Sequence, residues 1–387
     1  MSFIKTTLTS ALRAPRRSLF LALPALLIPG GTATQAVGAA PSYHLLPPGS
    51  SPLIDQGLAP ATSAHWGLFK RRFLSAQGRF VDSDNGGISH SEGQAWGMFL
   101  AVAMDDRPAF DQIMAWTRAN LAIRGDRLLA WRYRAFPNAG VDDLNAATDA
   151  DLFHAWALLR AEQRWPGQGY RAMAQGIASD ILRFACRQFD GRVLLMPGAW
   201  GFDHPDHLVL NPSYYVFPAL EALAAAFPHT AWQALLHEGD RMMAGARFGQ
   251  WQLPADWVTL RRRGGALQPE PGRGDRFGYD AVRIPLYLAW SGRWDSPLLS
   301  RTTRFWSDPA HPYLPAWVQL STGGISPFPA SQGVGAIQTL TGPSPRGLVA
   351  APRIPSPAAD HGYYSSALAL LAAVARSEAP PMARSGA

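Results

Sequence analysis

The chain has very little cysteine: among its 387 residues there is one, Cys186. A single cysteine excludes a disulfide within the chain, so the fold must be stabilised by its core. The simplest role for Cys186 is that of a small buried apolar side chain. Charged residues are also sparse, at 16%, whereas hydrophobic residues reach 47%. This composition supports a large core, as one big domain or two ordinary ones.

Acidic residues are absent from the N-terminal region before Asp55. Basic residues through Arg17 precede an apolar run, Leu19 to Ile28, which is too short to span a bilayer. Small residues follow at 36–40, so we predict a signal peptide at 1–40, cleaved near Ala39. The arginine pair ending at Arg17 resembles a twin-arginine signal, and the general secretory route stays open. The expected location is periplasmic or secreted, with no transmembrane anchor after removal of the signal.

The positive charge of the chain is concentrated at its N-terminus. The formal net charge is +7 and the pI is about 9.8. Four basic residues precede residue 41, and subtracting them from +7 leaves +3 for residues 41–387. A charge this small predicts no nucleic-acid partner. The run Arg261 to Arg263 is interpreted as a solvated loop rather than a binding patch.

Helical periodicity extends through nearly the whole chain beyond the signal. Apolar residues recur every three or four positions, and this spacing predicts an all-α protein with about eleven helices. The segments with this pattern are Trp66–Leu74, Ala95–Met104, Phe110–Leu121, Leu152–Leu159, Met173–Ala185, Tyr215–Phe227, Trp232–Ala246, Val282–Trp290 and Tyr363–Val374. Between them run long loops rich in Gly, Pro, Trp and Asp, at 122–146, 190–211, 247–278 and 340–362. Strand-like pieces are few, and Val193 to Met196 is an example.

The sequence shows no linker-like break after residue 50. We therefore predict one catalytic domain at 41–376 and a flexible tail at 377–387.

Four helix starts carry recognisable caps. Ser89 with Glu92, and Thr148 with Asp151, have capping-box spacing. Asp106 ahead of Pro108, and Asn211 ahead of Pro212, also predict helix starts.

Three acidic residues lie at predicted helix starts beside glycine or aromatic residues. Asp149 remains after Asp151 is assigned to the cap, and could point into a cleft. Glu92 begins a helix that contains Gly93 and Gly97, which indicate close packing or a site. Asp280 precedes Arg283 by three residues, which by spacing alone is best explained as a structural ion pair.

In a barrel of helical hairpins, alternate helix starts meet at one rim, where these three carboxyl groups would converge. Glycoside hydrolysis needs such a set, with one carboxylic acid to protonate the leaving oxygen and one carboxylate to activate water or attack. The chain also contains 14 tryptophans, whose flat rings suit stacking on sugars, although burial is the commoner role.

The sequence resembles glycoside hydrolase family 8, in particular the endoglucanases that accompany bacterial cellulose synthases. The resemblance runs from Trp66 to Ala373 and is carried by SEGQAWGM at 91–98, ATDAD at 147–151, NPSY at 211–214 and YDAVR at 279–283. It implies an (α/α)6 barrel of helical hairpins with a substrate cleft. It also implies that Glu92 is the general acid, Asp280 the general base, and Asp149 the residue that positions and distorts the sugar.

The resemblance further implies a set of substrate-binding residues. Trp131 and Tyr214 would stack on sugars, Tyr279 and Arg283 would shape the base, and Trp96 would stand beside the acid. Trp96 is itself a departure, since tyrosine is more usual there.

Two other features are given structural rather than chemical roles. His154 is a second departure from the family pattern, and we expect it to be a satisfied, partly buried histidine. The segment Asp203 to His207 contains two aspartates and two histidines, and we interpret it as a polar surface turn. No metal and no cofactor are expected.

The function that these observations predict is endo-acting hydrolysis of β-1,4-glucosidic bonds in cellulose with inversion, in support of bacterial cellulose synthesis. The expected partner is β-1,4-glucan, together with association with a cellulose synthase complex. Xylanase, chitosanase and mixed-linkage glucanase activities stay open, as does a non-catalytic glucan-binding role. Inversion requires the Glu92 and Asp280 carboxyls to lie about 6.5–9.5 Å apart.

Overall fold

The computed structural model describes residues 60–135, 137–262, 265–342 and 362–380, and within these ranges the chain forms eleven α-helices. They are α1 (Pro60–Phe73), α2 (Ser91–Ala103), α3 (Arg107–Asn120), α4 (Thr148–Arg164), α5 (Tyr170–Phe184), α6 (Phe217–Ala226), α7 (Thr230–Gly245), α8 (Ile284–Trp290), α9 (Pro297–Trp306), α10 (Gln332–Thr341) and α11 (Tyr363–Glu378). The predicted signal at 1–40 lies outside the described residues. None of the helices described is both long and apolar enough to cross a membrane.

Five helices form the inner ring of the fold. α2, α4, α6, α8 and α11 are buried along nearly their whole length, and each packs against the next until α11 meets α2. α1, α3, α5, α7 and α9 pack outside them, and α10 contacts α8, α9 and α11. The outer α3 and α5 each bury one face, as their spaced apolar residues predict. The all-α prediction is confirmed.

Short strands occupy the long loops. They are β1 (Ser89–His90), β2 (Arg132–Arg134), β3 (Gly140–Asp143), β4 (Cys186–Phe189), β5 (Arg192–Leu195), β6 (His207–Leu210), β7 (Val258–Arg261), β8 (Leu267–Pro269), β9 (Arg276–Phe277) and β10 (Val318–Gln319). All pairings are antiparallel, in the orders β1-β2-β3, β4-β5, β6-β7-β8 and β9-β10. Each is two to four residues long, and most are therefore too short for a sequence pattern to reveal.

The interpretation of the arginine run as a solvated loop is confirmed in part: Arg261 is exposed but belongs to a strand, and Arg262 lies in a turn with 37% of its side chain exposed. Arg261 ends β7, and Arg262 ion-pairs with Asp203 and donates to the His204 carbonyl at 3.1 Å. Pairing of β6 with β7 brings the two segments together. Arg263 lies outside the described residues.

Two of the four predicted caps are confirmed. The Asp106 carboxylate accepts from the Ala109 amide at 3.2 Å at the start of α3. Asn211 accepts from the Ser213 amide at 3.0 Å, although it begins a short 3-10 helix, Pro212–Tyr214, rather than α6 itself.

Both predicted capping boxes are wrong. Ser89 donates to the Phe80 carbonyl instead, and α2 is capped by His90, whose Nδ1 accepts from the Gly93 amide at 3.0 Å. Thr148 donates to the Met196 carbonyl at 2.7 Å. Asp151 accepts from the Leu129 amide at 2.9 Å, which leaves α4 without a side-chain cap. In each case the side chain that local spacing assigned to the helix end is hydrogen-bonded to a backbone group outside that helix.

The C-terminal helix extends beyond the predicted start of the tail. α11 ends at Glu378, whose carboxylate makes two hydrogen bonds with the buried Arg160, at 2.7 and 2.9 Å. The Trp290 indole also donates to it, at 3.0 Å. The prediction of a flexible tail from Ser377 therefore begins too early, because Glu378 is the partner of a buried charge. Residues 381–387 lie outside the described residues.

Cys186 lies on β4, partly buried. Burial raises the pKa of its thiol to about 12, so it stays protonated and unreactive at neutral pH.

Candidate active site

A cleft of about 710 Å³ opens at the N-terminal ends of α2 and α4. Glu92 lies in the first turn of α2 and Asp149 in the first turn of α4. Asp280 lies just before the 3-10 helix Ala281–Arg283, which leads into α8, so the predicted helix at Val282 begins with a 3-10 turn. The predicted residues that line the cleft are Glu92, Trp131, Asp149, Tyr214, Tyr279, Asp280 and Arg283.

Arg283 links the three carboxyl groups. One terminal nitrogen of its guanidinium pairs with Glu92. The other donates to Asp280 Oδ1 at 2.8 Å and lies 3.5 Å from Asp149 Oδ2. The Ser213 hydroxyl accepts from the same nitrogen at 3.0 Å. Because the Arg283 side chain is only 4% exposed, its positive charge is stabilised by these carboxylates rather than by water.

Glu92 and Asp149 are two buried acids that both contact Arg283. Burial raises the pKa of Glu92, and this effect outweighs the lowering by Arg283. Burial also raises the pKa of Asp149 well above its usual range, with the Glu92 charge adding to the rise. Each carboxyl group is among the causes of the other's pKa shift, so the protonation of Glu92 and that of Asp149 are linked. Such a pair can keep a proton at a pH where exposed carboxyls are ionised, as a general acid requires.

Asp280 is more open to solvent, with 29% of its side chain exposed. Arg283 donates to its Oδ1, and the indole Nε1 of Trp257 donates to its Oδ2 at 3.0 Å. Each carboxylate oxygen has two lone pairs, so both oxygens can accept another hydrogen bond, including one from water.

Aromatic side chains border the carboxyl groups. Trp131 is held by the Arg132 guanidinium, 4.3 Å from its ring, and by its own bond to Asp143 at 2.7 Å. Tyr279 is 54% exposed, so its ring is available to a ligand. Burial raises the pKa of Tyr214 well above its usual range, so its hydroxyl stays protonated. A fixed, exposed aromatic ring beside polar groups is the pattern of a sugar-binding surface.

Trp96 does not lie on the cleft. It is 1% exposed and packs against Phe153 and Tyr364, with the Arg283 guanidinium 5.9 Å from its ring. Its ring therefore has no surface to offer a sugar, and it supports Arg283 from inside the protein. The expectation of a substrate contact fails because the indole faces the core.

His154 is fully buried rather than partly buried. It is 4% exposed, and neither ring nitrogen has a hydrogen-bond partner among the described residues. Burial lowers its pKa to about 4, so the ring is neutral at physiological pH. The prediction of a satisfied histidine is wrong, while its absence from the cleft lining matches the structural role assigned to it.

The structure adds residues that the sequence did not indicate. His90, Asp82 and Tyr364 line the cleft. Trp257 contacts Asp280 from a segment 23 residues earlier in the chain. His90 could have been found from its place two residues before Glu92, but no local signal marks Trp257. Across the described ranges, no group of three or more His, Cys, Asp or Glu residues could hold a metal ion.

Comparison with known proteins identifies the same family along most of the chain. The family profile of glycosyl hydrolases family 8 matches residues 55–378. A probable endoglucanase of Novacetimonas hansenii is 40% identical over 82% of this chain and 92% of its own length. An endoglucanase of Cellulomonas uda is 38% identical over 71% of this chain and 76% of its own.

Solved structures agree with the sequence relatives. An endo-β-1,4-glucanase of Acetobacter xylinum superposes with a TM-score of 0.77 at 39% identity, covering 82% of this chain and 98% of its own. Endoglucanase Cel10 of Klebsiella pneumoniae, a family 8 glycosyl hydrolase, gives 0.76 at 36%, covering 81% and 99%. Membership of this family makes the fold the (α/α)6 barrel that the resemblance implied, and the eleven described helices are consistent with it.

Proposed function

Because this chain belongs to glycosyl hydrolase family 8, we propose that it is an endo-1,4-β-glucanase that cleaves cellulose with inversion at the anomeric carbon. The observation that carries the proposal is the convergence of Glu92, Asp149 and Asp280 on one buried arginine in an aromatic-lined cleft. The names of its relatives agree with this activity.

The proposed reaction begins with proton donation by the Glu92–Asp149 pair. Glu92 protonates the glycosidic oxygen as the bond to the anomeric carbon breaks. Asp280 removes a proton from a water molecule that attacks the opposite face of the sugar. Asp149 hydrogen-bonds the sugar and favours a distorted ring, which stabilises the oxocarbenium-like transition state more than the substrate. Trp131, Tyr214 and Tyr279 would bind neighbouring sugars by stacking.

Replacing Glu92 with Gln tests the assignment of the acid. Glu92→Gln keeps the shape of the side chain but removes the transferable proton, so kcat on a soluble cellulose derivative should fall by about 10²–10⁴-fold. Cello-oligosaccharide binding, measured by calorimetry, should remain within a few-fold of wild type. Wild-type turnover in this variant would show that the acid is misassigned.

The stereochemistry and the specificity need separate measurements. Proton NMR of the first product should show the α-anomer, and a β-anomer would overturn inversion. Reducing-sugar release from cellulose, xylan, chitosan and mixed-linkage glucan should be highest on the cellulose substrate. A chain that binds cellulose but releases no sugar would instead have the non-catalytic glucan-binding role.

We also propose that the enzyme acts outside the cytoplasm, in the periplasm or the medium, in support of cellulose synthesis. The proposal is supported by the signal-like pattern at 1–40 and by the resemblance to endoglucanases that accompany cellulose synthases. Deleting the gene in its host should change the yield or crystallinity of secreted cellulose. Cell fractionation should place the protein outside the cytoplasm, and co-purification with a cellulose synthase would establish association.

A further inference from the structure

Asp256 holds the backbone of the turn that carries the proposed base. It precedes β7, and its Oδ1 accepts three backbone N–H groups, from Gly278 at 3.0 Å, Asp280 at 3.1 Å and Ala281 at 2.8 Å. The amide of Asp256 in turn donates to the Arg276 carbonyl at 2.7 Å. One carboxyl oxygen thus fixes the chain on both sides of Asp280.

The turn fits closely against Asp256. A Cβ atom at Gly278 would lie 2.7 Å from Asp256 Oδ2, nearer than real contacts allow, so a larger residue there would displace the Asp256 carboxylate. Burial, followed by the charge of Asp280, raises the pKa of Asp256 to about 7. Below that pH Asp256 is mostly neutral, and its oxygen can still accept the three amides without adding a charge beside the base.

The next residue, Trp257, holds the base side chain itself. Its indole Nε1 donates to Asp280 Oδ2 at 3.0 Å. The indole is fixed by stacking on Phe202, with ring centroids 5.8 Å apart and planes 15° apart, and by the Arg273 guanidinium 4.0 Å from its ring. With Arg283 on Oδ1, both oxygens of the carboxylate have a fixed donor.

We propose that Asp256 and Trp257 are the positioning residues of the general base: Asp256 fixes the backbone at Asp280, and Trp257 fixes the direction of its carboxylate. The inference rests on the proposed function, because it assigns these residues a role only if Asp280 activates water. A base must lie within hydrogen-bond reach of the proton it removes, and a misplacement of 1 Å can lower the rate about 10²-fold.

The experiment compares Trp257→Phe, Asp256→Ala and Asp256→Asn with wild type, with kcat expressed per folded molecule after circular dichroism. Trp257→Phe keeps an aromatic ring but loses the donor, and Asp256→Ala loses the acceptor. Each should lower kcat on cello-oligosaccharides about 10–100-fold, with KM within about threefold. Asp256→Asn keeps an acceptor oxygen and should recover most of the activity lost in Asp256→Ala.

Matched controls separate positioning from general destabilisation. Trp66→Phe removes a similar indole-to-carboxylate bond, to Asp106 at 2.8 Å, and Asp180→Ala removes an acceptor of the Arg127 amide at 2.8 Å. Neither Trp66 nor Asp180 lines the cleft, and both variants should keep wild-type kcat.

A substrate with a leaving group that needs no protonation, 2,4-dinitrophenyl cellotrioside, locates the defect. Glu92→Gln should regain activity on it, whereas Trp257→Phe and Asp256→Ala should stay impaired, because their defect lies in water activation. Recovery of those two variants, or wild-type kcat in Trp257→Phe, would overturn the inference. If Asp256→Ala does not fold, the inference is tested by Trp257→Phe, which should lose kcat, and by Asp256→Asn, which should keep most of it. Full turnover in both Glu92→Gln and Asp280→Asn would overturn the proposed function instead.

Discussion

One arginine determines how three acids coexist in the cleft. Arg283 is buried with its guanidinium against Glu92, Asp149 and Asp280, and a buried cation without such partners would be strongly unfavourable. It contacts two well-buried acids, Glu92 and Asp149, together with Asp280, whose side chain is more open to solvent at 29% exposed. Lysine could not replace it, because a single ammonium cannot present two terminal nitrogens to separate carboxylates.

The stability of an Asp256→Asn variant should differ from wild type in a pH-dependent way. The pKa of Asp256 is about 7 in the folded protein, and about 4 is expected when it is unfolded. As pH rises from about 4 to 7 the unfolded state releases this proton first, so wild type loses stability that the variant keeps. The Tm of the variant relative to wild type should therefore rise by roughly 2–5 °C across this range.

Differential scanning calorimetry between pH 4 and pH 8 measures this difference. Other titrating groups are common to both proteins and cancel. A difference that stays constant with pH, or that falls as pH rises, would contradict the raised pKa of Asp256.

At the scale of the elements, α2 shows why glycine occurs inside a helix. A Cβ atom on Gly97 would overlap the ring of Phe80, and one on Gly93 would overlap the Tyr363 hydroxyl. Phe80 belongs to the segment before α2 and Tyr363 begins α11, so both glycines allow neighbouring segments to approach an inner helix closely. Of the two interpretations offered by the sequence, packing is the one that the contacts of these glycines support.

The substitutions Gly97→Ala and Gly67→Ala should change stability in opposite directions. At Gly67, in α1, a Cβ atom would make an ordinary contact of 3.5 Å with Arg71, so alanine should stabilise by up to about 1 kcal/mol through helix propensity. At Gly97 the overlap with Phe80 should dominate, with a loss of about 1–3 kcal/mol. Urea unfolding of both variants checks this, and a stabilised Gly97→Ala would show that the core has room there.

At the scale of the whole molecule, the ring of helices brings the site together. Glu92, Asp149 and Asp280 are separated by 57 and 131 residues in the chain (149 − 92 and 280 − 149) and meet because α2, α4 and α8 belong to one closed ring. Most of the net positive charge of the chain is not carried by these three helices, since four of its seven net positive charges precede residue 41.

Activity should accordingly depend little on salt. The substrate is an uncharged polymer, and residues 41–387 carry a formal charge of only +3 (+7 less four basic residues). Between 0.05 and 0.5 M NaCl, kcat/KM on cello-oligosaccharides should change by less than about twofold. A double-stranded DNA titration at low salt is the control and should show no tight binding. A steep fall of activity with salt would indicate recognition of a polyanion.

Much of the site could be predicted from the sequence because its signals are local. Glu92, Asp149 and Asp280 lie in short motifs at helix starts, and the spacing of apolar residues predicts the helices. The two capping boxes failed although their spacing was correct, because Ser89 and Thr148 bond to carbonyl groups that the fold brings near. The predicted substrate contact of Trp96 was wrong because a family motif does not show which side of the helix faces the cleft.

The sequence by itself determined the family and the helical class, and it singled out the three acidic residues that line the cleft, since each depends on residue type and short spacing. The tertiary structure decided which arginine contacts the three carboxyl groups and which residues hold Asp280. Asp256 and Trp257 reach Asp280 only because β7 and the turn before α8 are brought side by side. Hydrogen bonding and burial depend on distance in space, and the order of residues along the chain does not specify that distance.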